Sequence, residues 1–354
     1  MLGLLAIVTL FVCAHADTAV ESITSQGYAA ESHTVTTSDG YILEIIRIPH
    51  GKNSETNGKV VLLVPGLLAS YISFTYLGPS SGVAYTLADA GYDVWIVNTR
   101  GNKYSRRHTS LDPDKDSKQF FDFSYEEVAL YDLPATIDYV LATTKRDKFH
   151  YVGHALGGTT FFILNSMNTT YQSKIASAHL MAAPGYQKEF PNQPVKLLSS
   201  AIDVLYNLAQ LLNFVEMKPS NPLTPILMAS FVNTSVPLEL ISGGAVKQVA
   251  HYCQNFKDGS FKRWNYGAVK NLLKYGQASP PSYDLSKIKV DVTLYYSAND
   301  ITQSERDVMD MVSAMPNARA HKVASSTFDH MDYLKNKDVK QLVTDHIIQS
   351  LKKY

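Results

Sequence analysis

The chain has 354 residues, 45% of them hydrophobic and 18% charged, with 32 Lys and Arg against 32 Asp and Glu. That composition supports a large buried core and excludes a disordered chain, which needs fewer apolar and more charged residues. With zero formal net charge, no basic run and no interleaved basic and aromatic patch, the sequence offers nothing for a nucleic acid to bind.

Met1 to Cys13 is an apolar run followed by Ala14-His15-Ala16, a small-residue cleavage pattern. The run is too short to span a bilayer, so residues 1–16 read as a secretory signal peptide and no integral membrane segment is expected. Cleavage removes Cys13 and leaves Cys253 alone. No intramolecular disulfide is then possible, and a lone Cys beside aromatic residues reads as a small buried hydrophobe. The sequons Asn168-Thr169-Thr170 and Asn233-Thr234-Ser235 agree with secretion and predict glycosylation at Asn168 and Asn233.

His33 to Thr37 and Tyr41 to Ile48 flank Ser38-Asp39-Gly40 and predict a hairpin. Short apolar runs follow at Lys59 to Val64, Tyr92 to Val97, Phe149 to Val152, Ile175 to Met181, Val292 to Ser297 and Ala320 to Ala324. Alternating with helical segments, they predict an α/β fold with a mostly parallel central sheet. Ser124-Tyr125-Glu126-Glu127 is a capping box that opens a helix through Tyr139 with a kink at Pro134. Val339, Leu342, Val343, Ile347 and Leu351 recur at helical spacing and predict a terminal amphipathic helix. From Gly185 to about Tyr283 no strand is expected, and Val195 to Val215 reads as one helix with a wide apolar face and a stripe of Lys196, Ser200, Asp203, Asn207 and Gln210. Packing of that face on the core is favoured over contact with lipid, although periodicity alone does not separate the two.

The stretch Tyr151-Val152-Gly153-His154-Ala155-Leu156-Gly157-Gly158 carries the most chemical information. A buried strand enters a tight Gly-His-x-x-Gly turn and then a helix, the context of a G-x-S-x-G nucleophile elbow. Its central residue is Ala155, which has no nucleophilic atom for a covalent step. Thr159 and Thr160 lie on the helix beyond the apex, where a threonine packs or caps rather than attacks. No P-loop lysine and no zinc-type His pair is present, so no cofactor and no metal are expected.

Ordered motifs along nearly the whole chain resemble the animal acid lipases of the gastric and lysosomal type, a family of α/β-hydrolases. They are Ser38 to Leu43, Pro65 to Ser70, Leu87 to Gly101, Tyr104-Ser105-Arg106, Phe121 to Ser124, Tyr131 to Pro134, the elbow, Tyr266-Gly267, Pro280-Pro281, Leu294 to Tyr296 with Asn299-Asp300, and Phe328 to Asp332. The resemblance implies an α/β-hydrolase fold with an inserted helical cap: residues 17–184 and 284–354 form the core and 185–283 the cap or lid. It implies Asp300 as the acid and His330 as the base of a triad whose nucleophile position is Ala155. Backbone N–H groups of Leu67 and Leu156 are implied as the oxyanion donors. The family's Gly-His-Ser-Gln-Gly-Thr reads Gly-His-Ala-Leu-Gly-Gly here, and its His-Gly-Leu reads Pro65-Gly66-Leu67.

The expected function is therefore a catalytically silent lipase homologue, secreted or in the lysosomal lumen, with a site able to bind neutral lipid or a fatty acyl chain and a cap able to contact a lipid interface. One alternative is an active lipase or esterase on triglycerides or cholesteryl esters. Another is a storage or protein-interaction role.

Overall fold

The computed structural model describes residues 18–354. The expected signal peptide and Cys13 lie outside the described residues.

Eight strands form one sheet in the order β1-β2-β4-β3-β5-β6-β9-β10. They are β1 (Glu31–Thr36), β2 (Ile42–Ile48), β3 (Val60–Val64), β4 (Asp93–Val97), β5 (Phe149–His154) and β6 (Ile175–Met181), then, beyond a long segment, β9 (Val292–Tyr296) and β10 (Ala318–Lys322). The β1–β2 and β2–β4 pairs are antiparallel and the rest parallel. Every residue of β3, β4 and β5 is buried. Strands covered on both faces have no use for polar alternation, which is why they appear in the sequence as continuous apolar runs. β10 is an edge strand with no buried residue, and it begins two residues before the expected run because Ala318 pairs with Val292 of β9.

The capping box forms as expected, with the Ser124 hydroxyl accepting from Glu126 N–H and the Glu127 carboxylate from Ser124 N–H. Instead of a kink, Val128–Asp132 widens into a π-turn and a regular helix restarts at Leu133–Thr144 with Pro134 in its first turn. A proline without an N–H breaks the i→i−4 ladder, and a wider turn accommodates the missing bond. The terminal helix likewise starts as a π-turn, Lys340–Thr344, before Asp345–Leu351. Val339, Val343, Ile347 and Leu351 are fully buried against β-strand residues such as Val61, Val94 and Ile96.

Between β6 and β9 the chain corrects two expectations. A two-residue ladder is present, β7 (Glu216–Met217) antiparallel to β8 (Gly244–Ala245), too short to leave a sequence signature. The single helix expected over Val195 to Val215 is two, Gln193–Ser199 and Ile202–Leu211. The second packs on the core only in part, with Ile202 half-buried against it. None of its residues is buried; Val204, Leu208 and Leu211 are exposed, while Asp203 points to Gln254 and Lys257 on the neighbouring helix Val246–Asp258. Among the described residues no helix is long and apolar enough to cross a membrane.

Candidate active site

β5 sits mid-sheet between β3 and β6, and its last residue, His154, leads into a tight turn at Ala155 before the helix Leu156–Met167. Ala155 has φ 48° and ψ −112°, a conformation costly for any residue with a Cβ. The turn keeps the strained geometry that presents a nucleophile, although the side chain is a methyl group. Packing leaves no alternative at the flanking glycines. A Cβ on Gly157 would strike the Val64 carbonyl, and one on Gly158 would overlap the Ala183 side chain.

Asp300 and His330 come together from the loops after β9 and β10. His330 Nδ1 lies 2.9 Å from Asp300 Oδ2 and 2.9 Å from Thr302 Oγ1. The Thr302 hydroxyl donates to Asp300 Oδ1 at 2.7 Å and its N–H donates to the same oxygen at 2.8 Å. Since the carboxylate only accepts, a proton sits on Nδ1. Among the described residues Nε2 has no hydrogen-bond partner. Burial works to raise the Asp300 carboxyl, but the adjacent imidazole and the Thr302 donors outweigh it and hold Asp300 below the usual carboxylate range. The Asn299 side chain donates to the Thr327 carbonyl at 3.0 Å, tying the two loops to each other. Asp329 accepts from the N–H groups of Met331 and Asp332 and fixes the His330 turn.

Two participants escaped the sequence reading. Thr302 bridges Asp300 and His330; its signal is the Asp-x-Thr spacing, a local side-chain turn. His154 is fully buried with its Nε2 3.3 Å from the His330 carbonyl, so it braces the backbone of His330. Its Nδ1 has no partner, and burial depresses its pKa to about 3, so the ring is neutral.

Pro65-Gly66-Leu67 follows β3 on the other side of the elbow. The loop is pinned by Ser242 N–H to the Leu68 carbonyl at 2.6 Å, and Leu68 itself has φ 56°. Neither Leu67 N–H nor Leu156 N–H has an acceptor among the described residues. Gly66, Leu67, Ala155, Leu156, Thr302 and His330 all line one slot with a water-accessible volume of about 70 Å³. Its far wall is apolar and comes from the segment between β6 and β9, with Met228, Phe231, Val236 and Leu240. Phe231 also lines a second apolar cavity of about 260 Å³ bounded by Val195, Ile202, Leu227 and Cys253.

The remaining expected residues fall elsewhere. Thr159 donates to the Pro184 carbonyl at 2.6 Å and meets Tyr252 OH at 2.7 Å; Thr160 donates to Gly157 O at 3.0 Å. Both hydroxyls are buried in structural bonds. Cys253 is buried and free, and burial pushes its thiol up to about 11. Asn233 is exposed at the end of the helix Leu223–Val232, whereas the Asn168 side chain accepts from the Thr170 hydroxyl at 2.6 Å.

A mostly parallel sheet with a strained strand-turn-helix at its centre and a paired carboxylate and imidazole on the next two strand ends matches the architecture of an α/β-hydrolase. Residues 59–335 match the family described as alpha/beta hydrolase fold, and residues 19–77 the partial alpha/beta-hydrolase lipase region. Lipase 1 of Drosophila melanogaster is 37% identical, over 94% of this chain and 79% of its own. The gastric triacylglycerol lipases of Rattus norvegicus and Homo sapiens are each 33% identical, over 94% of this chain and 90% of theirs. Among solved structures, naproxen esterase from Bacillus subtilis has a TM-score of 0.54 at 16% identity, covering 94% of each chain. The chain belongs to the animal acid lipase family, the gastric type of α/β-hydrolase.

Proposed function

We propose that this protein is a catalytically silent member of the lipase family that holds a fatty acyl chain or neutral lipid in the slot above the elbow. The observation that carries the reading is the combination at one site of Ala155 in the nucleophile conformation and a paired Asp300 and His330. Asp300 and His330 stand in the roles of acid and base, and Leu67 and Leu156 N–H groups in the role of oxyanion donors, around a position that supplies no nucleophile. Loss of a triad serine removes on the order of 10⁶ in turnover, leaving about 10³ to 10⁴ over water from the oxyanion hole and binding. Such a residue of activity is negligible beside a working lipase. Engagement of both threonine hydroxyls with backbone carbonyls argues against a substitute nucleophile.

Leu156 adds an aliphatic wall where the family carries glutamine, which favours an acyl chain over water. The slot takes only part of a long chain, and a turn of Phe231 would join it to the cavity behind. Residues 185–283 act as the cap, and the exposed aliphatic side chains of Ile202–Leu211 meet lipid. Secretion through residues 1–16 and glycosylation at Asn168 and Asn233 belong to the same reading.

The test is to incubate the protein with a serine-reactive fluorophosphonate and, separately, with a fluorescent fatty acid. No covalent adduct and saturable binding of the fatty acid, about micromolar or tighter, are expected. A stoichiometric adduct on any residue would overturn the silent reading, and absence of saturable binding would overturn the acyl-binding one.

A further inference from the structure

A third cavity lies away from the elbow, with a volume of about 690 Å³ and a mixed polar and aromatic lining. Tyr206 and Asn207 come from Ile202–Leu211, Lys247 from Val246–Asp258, Trp264 and Tyr266 from the following loop, and Lys270 and Lys274 from the helix Ala268–Tyr275. Lys247 is 4% exposed; its ammonium lies 5.3 Å from the Trp264 ring centre and 5.6 Å from that of Tyr266. Ion pairs account for both carboxylates that line the groove, and Glu127 is a further acidic group acting on Tyr206 and Tyr266. Asp122 is taken by Lys247 at 2.7 Å, and Asp203 by Lys257 at 2.9 Å and Gln254 at 3.1 Å. Lys274 rests 4.5 Å over Tyr266 without a carboxylate, and Lys270 has no acidic partner among the described residues.

Both flanks of this basic groove are aliphatic. On one side Val204, Leu208 and Leu211 project from Ile202–Leu211, with Leu211 77% exposed. On the other, Val269, Leu272 and Leu273 project from Ala268–Tyr275, with Leu273 81% exposed. Exposed apolar ridges on either side of unpaired lysines and aromatic rings match the boundary between lipid headgroups and acyl chains, where aliphatic side chains enter the hydrocarbon while lysines and aromatic residues stay at the phosphates. A free anion would account for the lysines but not for the ridges. A protein partner has no comparable reason to pair exposed lysines with aliphatic side chains on both flanks.

We infer that the groove between Ile202–Leu211 and Ala268–Tyr275 docks the protein on an anionic phospholipid surface by taking a headgroup phosphate between Lys270 and Lys274. The inference rests on the reading that the cap meets lipid, and is independent of whether the elbow slot holds an acyl chain. Each lysine near an anionic surface strengthens binding about fivefold, so the pair contributes about 25-fold.

Sedimentation of the secreted protein with phosphatidylcholine vesicles, and with vesicles that also carry phosphatidylglycerol, tests it. Preferential binding to the anionic vesicles is expected, reduced by about 25-fold in Lys270→Gln/Lys274→Gln at moderate ionic strength. Both lysines are exposed, so the variant should keep the wild-type Tm and fatty-acid binding. Leu272→Ser/Leu273→Ser should weaken binding to both vesicle types and keep the ratio between them. Equal binding to the two vesicles overturns the headgroup inference and leaves the cap–lipid reading standing; binding to neither overturns both. Anionic preference that survives in the lysine variant refutes the assignment to this groove. Saturable binding of inorganic phosphate without any vesicle binding shows a free-anion site and overturns membrane docking.

Discussion

At position 155 a strained backbone turn carries only a methyl side chain. If only the nucleophile and its neighbour have been lost, Ala155→Ser with Leu156→Gln should raise esterase turnover on a chromogenic short-chain ester by at least about 10²-fold, part of the roughly 10⁶ that a triad serine contributes. The gain should vanish in His330→Ala or Asp300→Ala backgrounds. A folded but inert double variant would show that the oxyanion loop at Pro65 or the cap has moved away from catalysis as well. The third departure behaves differently: a Cβ on Gly158 overlaps the Ala183 side chain. Gly158→Thr should therefore cost about 1–3 kcal/mol, the range for overpacking a filled core, read as a lower urea midpoint at unchanged m-value. Restoration of activity should stop at residues 155 and 156.

At the scale of elements, three motifs far apart in the chain meet at Arg100, which is 1% exposed. The turn after β1 supplies Asp39, with oxygens 2.6 and 2.9 Å from the guanidinium. The π-turn before Leu133–Thr144 ends at Asp132, which accepts from Arg100 Nε at 2.7 Å and from its N–H at 2.9 Å. Tyr41 stacks under the guanidinium at 4.0 Å. Asp39 keeps the guanidinium charge paired when Asp132 is removed, but the buried Arg100 Nε and N–H lose their acceptor, so Asp132→Ala should cost about 1–3 kcal/mol, measured by denaturant unfolding; an unchanged stability would mean that water replaces the carboxylate. Phe231 controls a different junction, the wall between the slot and the cavity behind it. Phe231→Ala should tighten binding of a long-chain fatty acid relative to a short-chain one in a competition assay, and an unchanged ratio would mean the two cavities work separately.

For the whole molecule, buried histidines set the response to acid. Burial depresses His154 and His179 to about 3, and His150 and His251 to about 4. Unfolded, each titrates near 6.5, so the unfolded chain takes up protons that the folded one refuses. Their contribution is complete above about pH 6.5 and is lost as the pH falls toward 4 and 3, by up to about 1.4 kcal/mol per group per pH unit. Asp300, held low in the fold, adds to the loss in more acidic solution. Tm should decline from pH 6.5 to 4.5; a flat profile over that range would show that these rings are hydrated.

Much of this molecule was legible in its sequence because the signals are local. Continuous apolar runs marked the buried strands, the capping box at Ser124 marked a helix start, and the glycines around Ala155 marked a turn too tight for side chains. Asp300 and His330 were placed by the order of family motifs, and their meeting at 2.9 Å follows from adjacent strands β9 and β10 ending at the same edge of the sheet. Tertiary structure decided what depends on neighbours. Ile202–Leu211 has the same apolar face whether it packs inward or outward; in the fold Asp203 meets Gln254 and Lys257, Ile202 rests on the core, and Val204, Leu208 and Leu211 stay exposed. Thr302 and His154 acquire their parts in the site only when loops distant in sequence close on one another. Arg100 finds Asp39 and Asp132 only after the sheet and the helix Leu133–Thr144 have packed. A periodic pattern specifies a face, and only the assembled fold supplies what that face meets.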